Sequence, residues 1–484
     1  MEIYMKIGGI DIGTTGCKIT VYNELGEFLH KEYESYEIDR NLGESEIDGA
    51  KIWNGVKSLI KRTTATIGNI DAIGVTSFGE AFVMLDENDT PLHPSILYTD
   101  PRGGEEAMSL DADMVTRIAG MKPLAMYSLP KIMWLKNNKP ELYERAKRIL
   151  LYEDFIVYML SGVAQIDYSL AARTMALDIR RLCWSEEIFA AAGVDMGKMA
   201  KLVPSGTVAG PVRKSLEAEL GLSGTIIVNG CHDQIAAAVG SGVLEAGEAV
   251  DGTGTVECVT PVFEAIPTQK EIYEGNYAIV PFIDKGKYVC YAVNFTGGAS
   301  VKWFKDNFAK ELSYKELDEL VDSTPGNILL LPHFAGSGNP YMDNKSKAAF
   351  VGITLESTRA DFYKAVLEGV CYEMKLNLEY LSKGGICPKE LFATGGGASS
   401  PVWLQMKADI LGVPITPLEA PEVGSVGTIM LTGVAIGAFK SVRDAKGMFV
   451  KCKKTYYPNP ENQKKHDEVY DRYKKLYEAV RPLV

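Results

Sequence analysis

None of the eight cysteines lies in a CxxC pair and none of the five histidines in an HxxxH pair, which argues against a zinc site or a disulfide framework. The thiols are scattered at 17, 183, 231, 258, 290, 371, 387 and 452, as in a reducing compartment. Cations are also scarce: 51 Lys and Arg against 63 Asp and Glu leave a net charge of −12 and a pI near 5.2. The molecule as a whole therefore repels nucleic acid and anionic membrane surfaces. No apolar run reaches the roughly 20 residues of a membrane span. The longest uncharged stretch, Val423 to Phe439, contains Gly424, Gly427, Gly433 and Gly437 and reads as a buried helix packed closely on a neighbour. Glu2 and Asp11 break the plan of a signal peptide, so a cytoplasmic location is expected.

What is present is an ordinary globular composition, 46% hydrophobic and 24% charged. At 484 residues the chain is too long for one core; length alone suggests roughly three domains, or two large ones. Its opening, Lys6 to Tyr22, is an apolar strand, a Gly-Thr turn and a second strand in which Ile19 and Val21 alternate with Lys18 and Thr20. Gly13 and Gly16 are expected to take positive φ and bring backbone N–H groups close to a ligand, while Thr14, Thr15 and Lys18 suit a phosphate. The turn is neither a Walker A loop nor a dinucleotide fingerprint. Asp11 stands in an apolar strand, where an unanswered carboxylate costs several kcal/mol. A hydrated Mg²⁺ would answer it; so would capping its own turn.

Farther on, a helix is predicted over 52–67 and a buried strand over 72–76, which delivers Ser77-Phe78-Gly79-Glu80 at its C-terminal end, where open α/β sheets place ligand groups. Tyr98, Asp100 and Arg102 either face a polar ligand or form a strand-end turn held by an Asp–Arg pair. The stretch from 121 to 179 reads as mostly helical and includes Lys131, Trp134 and Tyr152, with Trp134 as core. Thr225 to Gly240 reads as a strand, a tight glycine turn and a small-residue helix starting near Asp233. Asp233 there either caps the helix or serves as a general base, and His232 is a structural neighbour.

Ala249 to Val259 repeats the plan of the opening, with Gly254-Thr255 at its turn. An echo at half the chain length implies two related domains, each carrying a phosphate-gripping hairpin. A long helix is predicted over 359–381. Leu391 to Ser400 then gives a strand, the triple glycine Gly395-Gly396-Gly397 and a helix start. The glycines admit either an adenosine against the backbone or a close helix–sheet crossing. The Lys-Tyr tail around Tyr470, Tyr473 and Tyr477 reads as a docked helix rather than an RNA contact.

In order and spacing these segments resemble the FGGY carbohydrate kinases of the actin-like ATPase superfamily over nearly the whole chain. The most specific match is the stretch from Gly395 to Gly412; Asp11-Ile12-Gly13-Thr14-Thr15 resembles the first phosphate motif of the family and Gly254-Thr255 the second. The resemblance implies an α/β fold of two RNase H-like domains around a central cleft, divided as 1–245 for sugar and phosphate and 246–484 for nucleotide. It also implies ATP with Mg²⁺ as cofactors, a sugar or polyol as partner, and a homodimer. By the same resemblance Asp233 is the catalytic carboxylate, and Gly13, Thr14, Thr15, Lys18, Gly254, Thr255, Gly396, Gly397 and Ser400 bind the nucleotide, with Glu422 near it. Gly79, Glu80, Asp233 and Gln234 bind the acceptor, and Asp11 and Asp233 hold Mg²⁺ through water. Xylulose kinases of the family carry Gly-Gln-Met-His-Gly where this chain has Ser77-Phe78-Gly79-Glu80-Ala81, so Glu80 replaces their substrate-binding histidine. Glycerol kinases have a glutamate here, but preceded by Arg rather than Gly79. Val256 replaces the small residue that commonly follows the second Gly-Thr. A ketopentose such as xylulose is the first expectation, a polyol such as glycerol or erythritol the next, then a deoxy-ketose; the rival class is an actin-like or chaperone-type ATPase.

Overall fold

The computed structural model describes residues 4–41, 43–419 and 422–484. They form two compact units: the described residues of Met1–Gly242, Ile279–Lys287 and Glu422–Phe449 make unit 1, and those of Val243–Ala278, Tyr288–Pro421 and Val450–Val484 make unit 2. A single division of the chain at 245/246 leaves 422–449 with the second half, yet this segment packs with unit 1.

The sheet of unit 1 contains β1 (Lys6–Ile12), β2 (Gly16–Asn23), β3 (Phe28–Ser35), β4 (Ala72–Ser77), β5 (Val208–Pro211) and β6 (Ile226–His232), in the order β5-β6-β4-β1-β2-β3. In unit 2, β7 (Glu248–Thr253), β8 (Glu257–Phe263), β9 (Ala292–Asn294), β10 (Glu390–Thr394) and β11 (Ile415–Pro417) share a sheet. Both sheets follow one plan. β1 pairs antiparallel with β2, β2 antiparallel with β3, β1 parallel with β4 and β4 parallel with β6; β7, β8, β9, β10 and β11 repeat these relations in the same roles. The echo read in the sequence is thus an echo of topology. The central strands β4 and β6 are almost wholly buried, which explains why each opens on an apolar run, Ala72 to Val75 and Ile226 to Val228, before its polar C-terminal end.

Among the helices, α1 (Gly49–Ile67) is capped by Asp48, whose side chain accepts from the Ala50 N–H. α2 (Tyr152–Ser161), α3 (Tyr168–Ala172) and α4 (Asp233–Gly240) follow in unit 1. The region 121–179 is less helical than its composition suggests, since strands at Arg148–Leu151 and Gln165–Asp167 interrupt it. In unit 2, α5 (Arg359–Lys383) starts at a Thr358/Asp361 capping box and lies in a core with Phe304, Trp403, Tyr470 and Tyr473. α6 (Pro401–Leu411) follows the triple glycine. α7 (Val423–Ala435) returns to unit 1 and covers its sheet: a Cβ on Gly9 of β1 would lie 2.6 Å from the Ser425 carbonyl oxygen, and one on Gly74 of β4 2.0 Å from Thr432 Oγ1. α8 (Pro460–Tyr473) buries Val469, Tyr470 and Tyr473, which is the docked tail helix. No helix among the described residues is long and apolar enough to cross a membrane.

Candidate active site

The first hairpin places its ligand groups by register. Asp11 lies opposite Lys18 on β1 and β2, and Lys18 Nζ sits 3.0 Å from Asp11 Oδ2 and 2.9 Å from Glu422 Oε2. Burial disfavours the Lys18 ammonium, but the two carboxylates outweigh it and hold the group above its ordinary value. Lys31 also reaches Glu422. Asp11 is therefore answered by a lysine rather than by its own turn. The Gly13 N–H donates to the Gly16 carbonyl at 2.9 Å and closes the tip, leaving Thr15 exposed. Neither Gly13 nor Gly16 takes a positive φ, contrary to expectation. Gly16 is required by crowding instead, since a Cβ there would meet the Tyr33 hydroxyl at 2.2 Å. Gly424, at the start of α7, leaves open the space where a Cβ would approach Asp11 Oδ2 to 3.1 Å.

The acceptor-side residues gather at the ends of β4 and β6. Glu80 is buried with φ of 69°, a conformation that costs a non-glycine residue of order 1 kcal/mol and persists where its surroundings enforce it. Ser128 Oγ donates to the Glu80 carbonyl at 2.6 Å. Arg173, immediately after α3, donates from Nε to Glu80 Oε1 at 2.7 Å and also from Nη2, with its guanidinium 5.1 Å from the centre of the Tyr127 ring. Gly79 makes room for this arrangement, because a Cβ there would lie 3.0 Å from Arg173 Cγ and 3.1 Å from His232 Nε2.

Asp233 is the first residue of α4, and the residue that precedes the helix is His232, which makes no capping bond. The cap reading of Asp233 is thus not realised. Gly230, expected in a turn, lies inside β6, where a Cβ would meet the Val75 carbonyl oxygen at 2.4 Å. His232 Nε2 is 3.2 Å from Asp233 Oδ1, and burial followed by the Arg173 charge keeps the imidazole neutral, well below its ordinary pKa. Burial first, then the charges of Asp11 and Glu80, push the Asp233 carboxyl up to about 8. A third of this side chain remains accessible, so water reduces the size of the shift but not its direction. Tyr98 is 39% exposed, and burial, Glu80 and Asp233 all raise its hydroxyl. Gln234, next in α4, is half-buried.

Two other candidates are structural. Arg102 grips Asp100 with Nε at 2.9 Å and Nη2 at 2.7 Å, the strand-end turn foreseen as one of two readings. Lys131, pushed down to about 8 by burial, donates to the Asp100 carbonyl at 2.8 Å and braces that turn. Phe78 packs on Tyr152 at 5.0 Å.

In unit 2 the Gly254 N–H donates to the Val256 carbonyl at 2.9 Å, and the Gly254 and Thr255 carbonyls accept from Gly298 and Ala299 at 2.7 and 3.1 Å. The side chain of Thr255 is left exposed. The triple glycine divides its duties. A Cβ on Gly395 (φ 83°) would lie 2.5 Å from the Thr253 carbonyl oxygen and one on Gly397 2.7 Å from Thr253 Cβ, whereas one on Gly396 would meet nothing. Close crossing and an open backbone face are both present. Ser400 Oγ accepts from the Trp403 N–H at 3.2 Å and caps α6.

The expected residues therefore form one group in unit 1 (Asp11, Gly13, Thr14, Thr15, Lys18, Gly79, Glu80, Asp233, Gln234) and another in unit 2 (Gly254, Thr255, Gly396, Gly397, Ser400). Two charged residues without an assigned role in the sequence join them. One is Arg173. The other is Lys407 on α6, buried with Nζ 2.6 Å from both Asp251 Oδ2 and Thr253 Oγ1 and bonded to Glu257. Arg173 is a lone cation in an apolar run and Lys407 the lone cation of a largely apolar helix, which is the available signal that a buried counter-charge exists elsewhere.

A family model described as the FGGY family of carbohydrate kinases, N-terminal domain, matches residues 6–240, and the model of the C-terminal domain of that family matches 250–436. A xylulose kinase of Staphylococcus epidermidis is 28% identical over 98% of this chain and 97% of that protein. A glycerol kinase of Thermococcus gammatolerans is 28% identical over 96% of this chain and 95% of that protein. A crystal structure described as a xyloylose kinase from Brucella ovis superposes with a TM-score of 0.91 at 28% identity, covering 99% of this chain and 100% of that one.

Proposed function

Since the chain belongs to the FGGY family of carbohydrate kinases, we propose that it transfers the γ-phosphate of ATP to a hydroxyl of a ketopentose such as xylulose, with Asp233 as general base. The observation that carries the reading is Asp233 at the head of α4 in one charged locus with Glu80 and Asp11, its carboxyl raised towards neutral pH by all three influences named above. In this reading Glu80, Gly79 and Gln234 receive the acceptor, and Asp233 takes the proton of the hydroxyl as its oxygen bonds to the γ-phosphorus. The bond from that phosphorus to the β–γ bridging oxygen breaks, and ADP leaves with the electron pair. Gly13, Thr14, Thr15 and Lys18 serve phosphates; Gly254, Thr255, Gly396, Gly397 and Ser400 serve the nucleotide, with Ser400 acting through its cap of α6.

No group of three or more His, Cys, Asp or Glu among the described residues is arranged to hold a metal ion by itself. Mg²⁺ needs less: one or two carboxylates complete its shell with waters and substrate phosphates. Asp11 and Asp233, whose charges repel each other, together with the open space that Gly424 leaves beside Asp11 Oδ2, fit that requirement. When bound, the ion would neutralise phosphate charge. A homodimer and a cytosolic location belong to the same reading.

A polyol is the second reading, and Glu80 favours it, since a buried carboxylate paired with Arg173 stands where xylulose kinases of the family carry histidine. An actin-like switch ATPase has no need of Glu80 and Asp233 in one locus. The deciding experiment is ADP formation from ATP and Mg²⁺ with a panel of pentuloses, hexuloses, polyols and aldonates. Sugar-stimulated ADP release supports the kinase; ATPase activity indifferent to every acceptor overturns it.

A further inference from the structure

The Glu80–Arg173 pair is more asymmetric than a stabilising ion pair requires. Both guanidinium nitrogens that reach Glu80 go to the same oxygen, Oε1, and no hydrogen bond from a described residue reaches Oε2. The glutamate is also held from behind, by Ser128 on its carbonyl, and is fixed at positive φ. Arg173 is fixed in turn by the Tyr127 ring and by the absence of a side chain at Gly79. A carboxylate immobilised through one oxygen presents the other as a preorganised acceptor that can take a hydrogen but cannot give one.

Resting on the kinase reading, we propose that Arg173 is a positioning residue that pins Glu80 through Oε1 so that Oε2 accepts the acceptor's hydroxyl adjacent to the one phosphorylated, restricting the site to neutral substrates with neighbouring hydroxyls. Asp233 takes the reacting hydroxyl and Glu80 the next one. An aldonate would bring its carboxylate towards Glu80, Asp233 and Asp11, while Arg173 and Lys18 are each already engaged by a carboxylate. Like charges at such range are strongly disfavoured. Arg173 need not touch the substrate to set this preference, since removing it frees the Glu80 side chain to turn away.

The test uses the full chain with ATP, Mg²⁺ and two acceptor pairs. One pair is xylulose and its four-deoxy analogue; the other is glycerol and trimethylene glycol, which lacks the middle hydroxyl. The wild type is expected to lose about tenfold to hundredfold in kcat/KM on the analogue of whichever acceptor it uses, the size of a hydrogen bond to a charged group. In Glu80→Ala that ratio collapses towards one. In Arg173→Met it collapses as well, with the acceptor KM raised and the KM for ATP within about twofold of wild type, and in Arg173→Lys it falls part of the way because the fork is lost. A merely structural arginine would alter yield or melting temperature and leave the ratio alone. If Arg173→Met does not fold, Arg173→Lys decides: an unchanged ratio in a folded arginine variant overturns the proposal. So does rapid turnover of an aldonate by the wild type. A wild type that turns over no acceptor at all removes the ground of both this inference and the kinase reading, whereas an active wild type with unaffected arginine variants sinks this inference alone.

Discussion

Gly240 at the end of α4 and Gly427 in α7 face each other backbone to backbone. A Cβ on Gly240 would fall 1.8 Å from the Val423 carbonyl oxygen, and one on Gly427 would fall 1.9 Å from that of Ala236. This contact fixes the helix whose first residue is Asp233. Neither partner is the end of a flexible side chain, so an added methyl must move a helix. Gly240→Ala or Gly427→Ala is expected to cost about 1–3 kcal/mol or more in urea unfolding and to lower kcat beyond what any loss of folded protein explains. A variant with wild-type stability would show that the two helices part without cost.

Asp233→Asn keeps the size of the side chain and removes the base. Turnover of the acceptor should fall by about 10²–10⁴, the usual worth of a positioned base, while ATP affinity, followed by calorimetry, stays close to wild type. Retained turnover would assign proton removal to another group.

Lys407 is the sole cation bonded to both Asp251 and Glu257 among the described residues. Burial raises the Glu257 carboxyl while Lys407 pulls it back down, so loss of the lysine leaves two buried acids facing each other at the base of the second hairpin. Lys407→Met is expected to destabilise the protein by about 3–5 kcal/mol, the cost of breaking a buried pair from one side. Adding Asp251→Asn and Glu257→Gln to it should restore much of the loss. Thermal unfolding of the single and combined variants checks both halves of the prediction.

Glu368, on the buried face of α5, accepts from the Gly326 N–H at 2.8 Å through Oε1 and is otherwise buried without a partner on Oε2. Burial lifts its carboxyl to about 8 from an ordinary value of 4.5. A raised folded-state pKa means that the contribution is fully present below 4.5 and is lost as pH rises through about 8. Glu368→Gln should therefore flatten the decline of stability between those limits, read as melting temperature against pH. Parallel curves for the two proteins would refute it.

The hairpins were legible because alternation and a Gly-Thr turn are local signals, and the matching arrangement of β1 and β7 followed from noticing the repeat. The reasons for individual glycines were harder to read. Gly16 and Gly230 look like turn residues in sequence, but their neighbours Tyr33 and Val75 explain them better than any backbone angle. Asp233 also looks like a helix cap, since the same residue type at a strand–helix junction commonly is one. Glu80 and Arg173 are 93 residues apart, and nothing local to either indicates the other. The return of α7 to unit 1 was visible only as four glycines in an uncharged stretch, which indicates a close neighbour without naming it.

That return constrains how the chain is made. β1 and β4 are synthesised early, yet the helix that roofs their glycines emerges only after the last strand of the other sheet, β11, has left the ribosome. Until then the apolar floor beneath Asp11 and Asp233 is bare, so the nascent first unit must wait incomplete, or be shielded by a chaperone. A fragment ending near residue 245 would expose the same surface permanently and should be recovered as aggregate.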